Sequence, residues 1–223
     1  MIVAILPVKD PRNSKQRLAD FISAKNREVL ARLLYEQTLE SLGRTSGIDR
    51  VVVATSDRLT AQHARNSGVL VFTEEKQVSH SQSADEACLQ AMDMGATTVL
   101  LVPIDVPLVT PDDFSQLANA SRPGAIGGSA AEPAGRLVIV PSSDGTGTNA
   151  LGRTPPDVIE SRFGPGSFMA HLEQAKSKGV ATEVLRLPGL MFDIDTPDDV
   201  TEFLRRAPDG PVAAFLKDVC GSK

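Results

Sequence analysis

The chain opens on a short apolar run, Ile2 to Val8, bounded by Pro7 and a polar loop, which is the pattern of a strand buried on both faces. After Ser23, a suitable N-cap, apolar positions Val29, Leu30, Leu33, Leu34 and Leu42 recur at roughly helical spacing until Gly43 stops the run. Arg50 to Thr55 is a second buried-type strand, Asp57 to Ser67 a helix ended by Gly68, and Val69 to Phe72 a third strand. A polar loop through Ser83 leads to a predicted helix from Ala84 to Met94, closed by Gly95, and then to the strongly apolar strand Thr97 to Val102. This β-α-β-α-β-α-β alternation predicts a parallel sheet with helices on both faces and a ligand site at the carboxyl ends of the strands.

The second half is less regular. Gly, Pro and Ser crowd the stretch from Arg122 to Gly166 around one clear strand, Leu137 to Val140, and a short one near Asn149 to Gly152. A helix Ser167 to Lys178, a strand Thr182 to Leu187, a helix Pro197 to Arg206 and an amphipathic end, Val212 to Val219, complete the pattern, with no internal repeat and no low-complexity segment.

A length of 223 residues suits one large domain or two small ones, and no convincing boundary divides it. The expected division is one α/β domain over 1–206 and a helical tail over 207–223. A net charge of −5 argues against a general nucleic-acid binder, which needs a basic face to neutralise phosphates. Cys88 and Cys220 lie far apart and match no zinc or redox spacing, so they are expected as free thiols of a reducing cytoplasm. His63, His80 and His171 are equally scattered and form no zinc pattern; they too are expected as structural or surface residues. No run has the length to span a membrane and no basic leader precedes Ile2 to Val8, so a cytoplasmic protein is expected.

Three features bear on chemistry. Lys9, Arg12, Lys15 and Arg17 follow the first strand within nine residues. At the carboxyl end of a central strand they would meet an anionic nucleotide, although a solvated surface loop explains such a run equally well. Neither a Walker A pattern nor GxGxxG is present. Asp105 directly follows the strand Thr97 to Val102 between Pro103 and Pro107, and Asp193 and Asp195 share one side of the chain if that segment is extended. Such oxygen ligands suit a hard cation such as magnesium. Helix capping by Thr196, Pro197, Asp198 and Asp199 accounts for the acids that follow, but not for Asp193. Finally, Asp144 to Asn149 and Arg162 to Ser167 are glycine-rich loops, the second running straight into a helix whose N–H groups could meet a phosphate or carboxylate; a hairpin turn and an ordinary cap are the alternatives.

Taken together, Pro7-Val8-Lys9, Ser14-Lys15-Gln16-Arg17-Leu18-Ala19, Asp105-Val106-Pro107-Leu108, Gly147-Thr148-Asn149-Ala150-Leu151, Arg162-Phe163-Gly164-Pro165-Gly166-Ser167-Phe168 and Asp193-Ile194-Asp195-Thr196-Pro197 resemble, in order, the motifs of the CofC-like guanylyltransferases, over roughly residues 2 to 206. The resemblance implies a three-layer αβα nucleotidyltransferase fold of the glycosyltransferase-A kind with a mainly parallel sheet. It also implies transfer of GMP from GTP to 2-phospho-L-lactate, phosphoenolpyruvate or 3-phospho-D-glycerate, with pyrophosphate released, in coenzyme F-420 biosynthesis. By the same resemblance Asp105, Asp193 and Asp195 would hold magnesium, Lys9, Lys15 and Arg17 would meet the nucleotide phosphates, and Thr148, Gly164 and Ser167 would bind the acceptor. Lys15 and Asp105 would be the catalytic pair. Where the family carries Leu-Asn-Ala before the third helix, this chain has Gln82-Ser83-Ala84. The alternatives are a related nucleotidyltransferase for sugar or molybdopterin phosphates, whose Gly-Gly loop is absent here, or a non-catalytic nucleotide-binding module. A monomer or a homodimer is expected, and, without metal, at least one of three clustered acids should titrate high.

Overall fold

The computed structural model describes residues 1–73, 79–124 and 135–221. The loop before Ser83, the stretch after Arg122 and the expected tail therefore fall partly outside the described residues. In chain order the elements are β1 (Ile2–Pro7), α1 (Ala24–Gly43), β2 (Arg50–Thr55), α2 (Arg58–Asn66), β3 (Leu70–Thr73), α3 (His80–Asp93), β4 (Thr98–Leu101) and α4 (Pro111–Ala120). They continue as β5 (Arg136–Pro141), β6 (Thr148–Thr154), α5 (Ser167–Ser177), β7 (Ala181–Val184), α6 (Pro188–Met191), α7 (Pro197–Arg206) and α8 (Pro211–Gly221).

All seven strands join one sheet in the order β3-β2-β1-β4-β6-β5-β7. Every pairing is parallel except those of β6, which runs antiparallel to β4 and β5. Alternate residues of the central strands feed two cores. Ala4, Leu6, Val53 and Leu100 pack under α1 and α4, while Val3, Ile5, Val52 and Leu101 pack under the alanine-rich face of α3 (Ala84, Ala87, Ala91). A third cluster joins the outer side of α1 (Leu30, Leu34) to α7 and α8 through Val200, Phe203, Val212 and Leu216. The fold is thus the expected three-layer αβα arrangement with a mainly parallel sheet.

Several local expectations differ. β3 is a half-exposed edge strand and not a buried one. Helix α3 starts at His80, four residues before the expected Ala84, because the Ser79 hydroxyl accepts the Gln82 N–H at 3.1 Å and caps it. Gln82-Ser83-Ala84 therefore lies inside the first turns of α3 and not ahead of it. The strand expected to reach Leu187 stops at Val184, and α6 stands between it and Asp193. Helix α4 is absent from the expected elements, although Thr110-Pro111-Asp112-Asp113 repeats the Thr196-Pro197-Asp198-Asp199 start of α7 and both form capping boxes.

Because β6 is antiparallel, its first residues, Thr148 and Asn149, emerge at the same sheet edge as the carboxyl ends of β1 and β4. That edge carries the candidate site.

Candidate active site

Asp105 follows β4, and Asp193 and Asp195 flank Ile194, whose side chain is fully buried in the α1–α7–α8 cluster. The Ile194 N–H donates to the Asp105 carbonyl at 3.1 Å, which binds the two segments side by side. With Ile194 turned inward, its neighbours turn outward together. One carboxylate oxygen from each of Asp105, Asp193 and Asp195 lies within 4.8 Å of the others. Three hard oxygen donors at this spacing fit a divalent cation.

Lys15 reaches the same point from the loop after β1. Its Nζ lies 2.8 Å from Asp105 Oδ2 and 3.0 Å from Asp195 Oδ1, with the side chain only 6% exposed. Its backbone is left-handed (φ 54°), the one such non-glycine residue among the described residues. That conformation costs on the order of 1 kcal/mol and persists here because two charged contacts hold the side chain. Burial pushes the Asp105 carboxyl up and the Lys15 ammonium down, yet their mutual attraction outweighs both: Asp105 stays below the ordinary carboxylate range and Lys15 above the ordinary lysine value. Among the described residues Asp193 forms no ion pair, and Lys15 acts on it only weakly. Burial first, then the Asp105 charge, pushes it up to about 6, against the opposing hydrogen bond from Asn149 Nδ2 at 3.2 Å. The raised member of the cluster is thus Asp193, by burial before repulsion, while the charges of Asp105 and Asp195 are compensated by Lys15, which sits between them.

Two clefts meet at this acidic wall. One, of about 530 Å³, is lined by Thr148, Asn149, Gly164, Ser167, Asp193 and Arg17, among others. The other, of about 640 Å³, is lined by Lys9, Asn13, Ser14 and Lys15. Asp105, Asp195, His80, Phe163 and Gly164 belong to both. The expected trio Lys9, Lys15 and Arg17 is thus divided: the two lysines face one cleft, while Arg17, largely exposed, stands at the rim of the other with its Nη1 3.5 Å from Asp195 Oδ2.

The two glycine-rich loops make several hydrogen bonds within themselves and to each other. Asp144 accepts from Ser142 Oγ, Thr146 N–H and Thr146 Oγ1 at 2.6–2.9 Å, which lowers its carboxyl to about 2 and closes the β5–β6 hairpin on itself. At the start of α5 the Ser167 N–H donates to the Gly164 carbonyl and the Phe168 N–H to the Thr146 carbonyl. The first two amides of that helix are thus already engaged. Among the donors that face the cleft here are the side chains of Thr148 and Ser167, both nearly buried.

Three polar residues at the site carry more than their sequence context signalled. Asn149 clamps α6 to β6 by donating to the carbonyls of Leu190 and Met191 as well as to Asp193. His80 and His171, expected as structural or surface residues, both pack against the Phe163 ring, with ring centres 4.9 and 5.5 Å from its own. Only His171 had a visible signal, its i, i+4 spacing from Ser167.

The family described as "Guanylyl transferase CofC like" matches residues 2–221. A phosphoenolpyruvate guanylyltransferase of Sphaerobacter thermophilus is 33% identical over 208 residues, covering 93% of this chain and 95% of that one. A 3-phospho-D-glycerate guanylyltransferase of Colwellia psychrerythraea is 29% identical, covering 97% and 96%. Among solved structures, a proposed nucleotide-diphospho-sugar transferase from Desulfovibrio desulfuricans G20 superposes with a TM-score of 0.75 at 16% identity, covering 97% of this chain and 94% of that one, a likeness of fold alone.

Proposed function

The chain belongs to the CofC-like guanylyl transferase family, and on that premise we propose that it moves GMP from GTP to the phosphate of a small phospho-carboxylic acid in coenzyme F-420 biosynthesis. The acceptor is phosphoenolpyruvate, 2-phospho-L-lactate or 3-phospho-D-glycerate, and pyrophosphate leaves. One observation carries this reading: Asp105, Asp193 and Asp195 converge where a lysine-lined cleft meets a hydroxyl-lined one, Asp105 and Asp195 lining both and Asp193 the hydroxyl-lined one. GTP phosphates would occupy the first and the acceptor the second.

The three carboxylates would hold magnesium, which when bound supplies charge neutralisation at the α-phosphate and at the departing pyrophosphate. Lys9 and Lys15 face the triphosphate, and Arg17 adds charge from the rim. Thr148, Gly164 and Ser167 hold the acceptor's phosphate end. An oxygen of that phosphate attacks the α-phosphorus in line; the new P–O bond forms as the bond to the bridging oxygen of pyrophosphate breaks. The attacking oxygen is already ionised at neutral pH, so no residue has to remove a proton. The work of Lys15 and Asp105 is positioning and charge stabilisation. This reading takes 1–206 as one nucleotidyltransferase domain with 207–223 as its tail, acting in the cytoplasm as a monomer or homodimer; among the described residues no helix is long and apolar enough to cross a membrane.

The test is pyrophosphate release from GTP, and from ATP and CTP in parallel, with each acceptor and with magnesium or a chelator. Release that requires GTP, one of the acceptors and the metal is expected. Release without any acceptor, or equal use of all three nucleotides, overturns the proposal.

A further inference from the structure

His171 lies on α5 one turn after Ser167, with no exposed surface at all. Both of its ring nitrogens are bonded. The backbone N–H of Arg162 donates to Nε2 at 2.8 Å, and Nδ1 lies 3.0 Å from Thr148 Oγ1. A backbone amide can only donate, so Nε2 has to carry its lone pair, and in a neutral ring the single proton then sits on Nδ1. Nδ1–H therefore donates to Thr148 Oγ1. A hydroxyl that has accepted on that side keeps its own proton for another direction, and Thr148 lines the cleft beside Ser167 and Asn149.

From this chain of bonds we infer that His171 is a positioning residue that fixes Thr148 as a hydrogen-bond donor toward an anionic acceptor. The inference rests on the reading of Thr148 as an acceptor contact and adds what orients it. A Thr hydroxyl left alone rotates freely and serves donors and acceptors alike. One that already accepts from a buried Nδ1–H has one lone pair taken and its proton directed away from the ring, which biases it toward phosphate or carboxylate oxygens, since these can only accept. Since the first two amides of α5 are already bonded, to the Gly164 and Thr146 carbonyls, this side-chain proton adds an oriented donor on that side of the cleft.

The surroundings keep the ring neutral. Burial first, then the positive charges of Arg153 on β6 and Arg162 on the adjoining loop, lower its pKa to about 4, and Asp85 on α3 opposes this only in part. The Phe163 ring meets it edge-on at an interplanar angle of 73°. A doubly protonated ring would set Nε2–H against the Arg162 N–H and break one of the bonds that hold the 160–166 turn.

Two measurements on the full chain test this. In a long-range proton–nitrogen spectrum of histidine-labelled protein at pH 7, His171 should appear as the neutral Nδ1-protonated tautomer; an Nε2-protonated or charged ring overturns the inference whatever the kinetics. Separately, KM for phosphoenolpyruvate and for GTP are measured in Thr148→Val, His171→Phe and the double variant. Thr148→Val should raise the phosphoenolpyruvate KM about tenfold, the effect of one hydrogen bond to a charged group. His171→Phe should raise it several-fold with the GTP KM held within about twofold, and should add less than about twofold in the Thr148→Val background. Fully multiplicative effects, or an equal rise in both KM values, make His171 a packing residue and overturn the inference. An unchanged phosphoenolpyruvate KM in Thr148→Val refutes the acceptor reading itself, and the tautomer spectrum tells the two failures apart.

Discussion

Replacing Asp193 by Asn should stabilise the metal-free protein while destroying its activity. The Asp193 carboxyl is pushed from an ordinary 3.8 to about 6 by burial and by the charge of Asp105. That difference corresponds to about 3 kcal/mol at ~1.36 kcal/mol per pH unit, and solvent at this partly exposed position reduces it to about 1–2 kcal/mol. The folded pKa is raised, so stability is full below the unfolded value near 3.8 and is lost as pH rises through about 6. The substituted side chain would keep the hydrogen bond from Asn149 Nδ2, since its amide oxygen replaces the carboxylate oxygen that accepts there. Thermal unfolding in chelator should therefore show the Asp193→Asn protein melting about 3–6 °C higher at pH 7.5 and level with the parent near pH 4. Magnesium should raise the melting point of the parent at pH 7.5 and leave the variant unmoved, and turnover should fall at least about a hundredfold. A variant that melts lower than the parent at pH 7.5 without metal, or that gains equally at both pH values, refutes the reasoning.

Asp105→Asn should have the opposite sign. Asp105 is held below the ordinary carboxylate range by Lys15, so its ionised form stabilises the protein at neutral pH and the contribution fades in acid; urea titration should show a loss of about 1–2 kcal/mol at pH 7, and turnover should drop by orders of magnitude. Lys15→Met removes an ammonium that shares the oxygens of Asp105 and Asp195. Manganese binding without nucleotide, followed by the resonance of the free ion, should tighten about tenfold or more while turnover falls, and weaker binding would contradict the arrangement. Away from the clefts, Asp85→Ala strands Arg153, which is 1% exposed and otherwise bonds Ser161 Oγ at 2.5 Å. It should cost about 3 kcal/mol in urea unfolding, and a loss under about 1 kcal/mol would show the pair to be dispensable.

Much of the architecture is legible because strands buried on both faces, such as β1 and β4, read as unbroken apolar runs, and because Ser23 and Gly43 mark the ends of α1. Helix α4 escaped because its buried positions, Phe114, Leu117 and Ala118, are few, even though its capping box is spelled as plainly as that of α7. The pairing of Asp193 with Asp195 follows from extended spacing alone. Their meeting with Asp105 depends on the Ile194 N–H bond to the Asp105 carbonyl, a contact across the chain that no local pattern encodes. The position of Lys15 is illegible for the same reason: a basic run looks like a phosphate loop, and only the fold sets one of its members between two carboxylates. His171 likewise acquires its meaning from Thr148 on β6 and Arg162 on a loop, neither of which its own helix reveals.

Phosphorus-31 NMR of a reaction containing GTP, phosphoenolpyruvate and magnesium tests guanylyl transfer at this acidic centre most directly, because it sees the bond made as well as the group released. The GTP signals should decline as pyrophosphate rises in step with two mutually coupled resonances of a new P–O–P linkage, and both products should be absent with chelator or with the Asp105→Asn protein. Accumulation of GMP or GDP without the coupled pair, or undiminished formation of the pair by Asp105→Asn, would contradict the account.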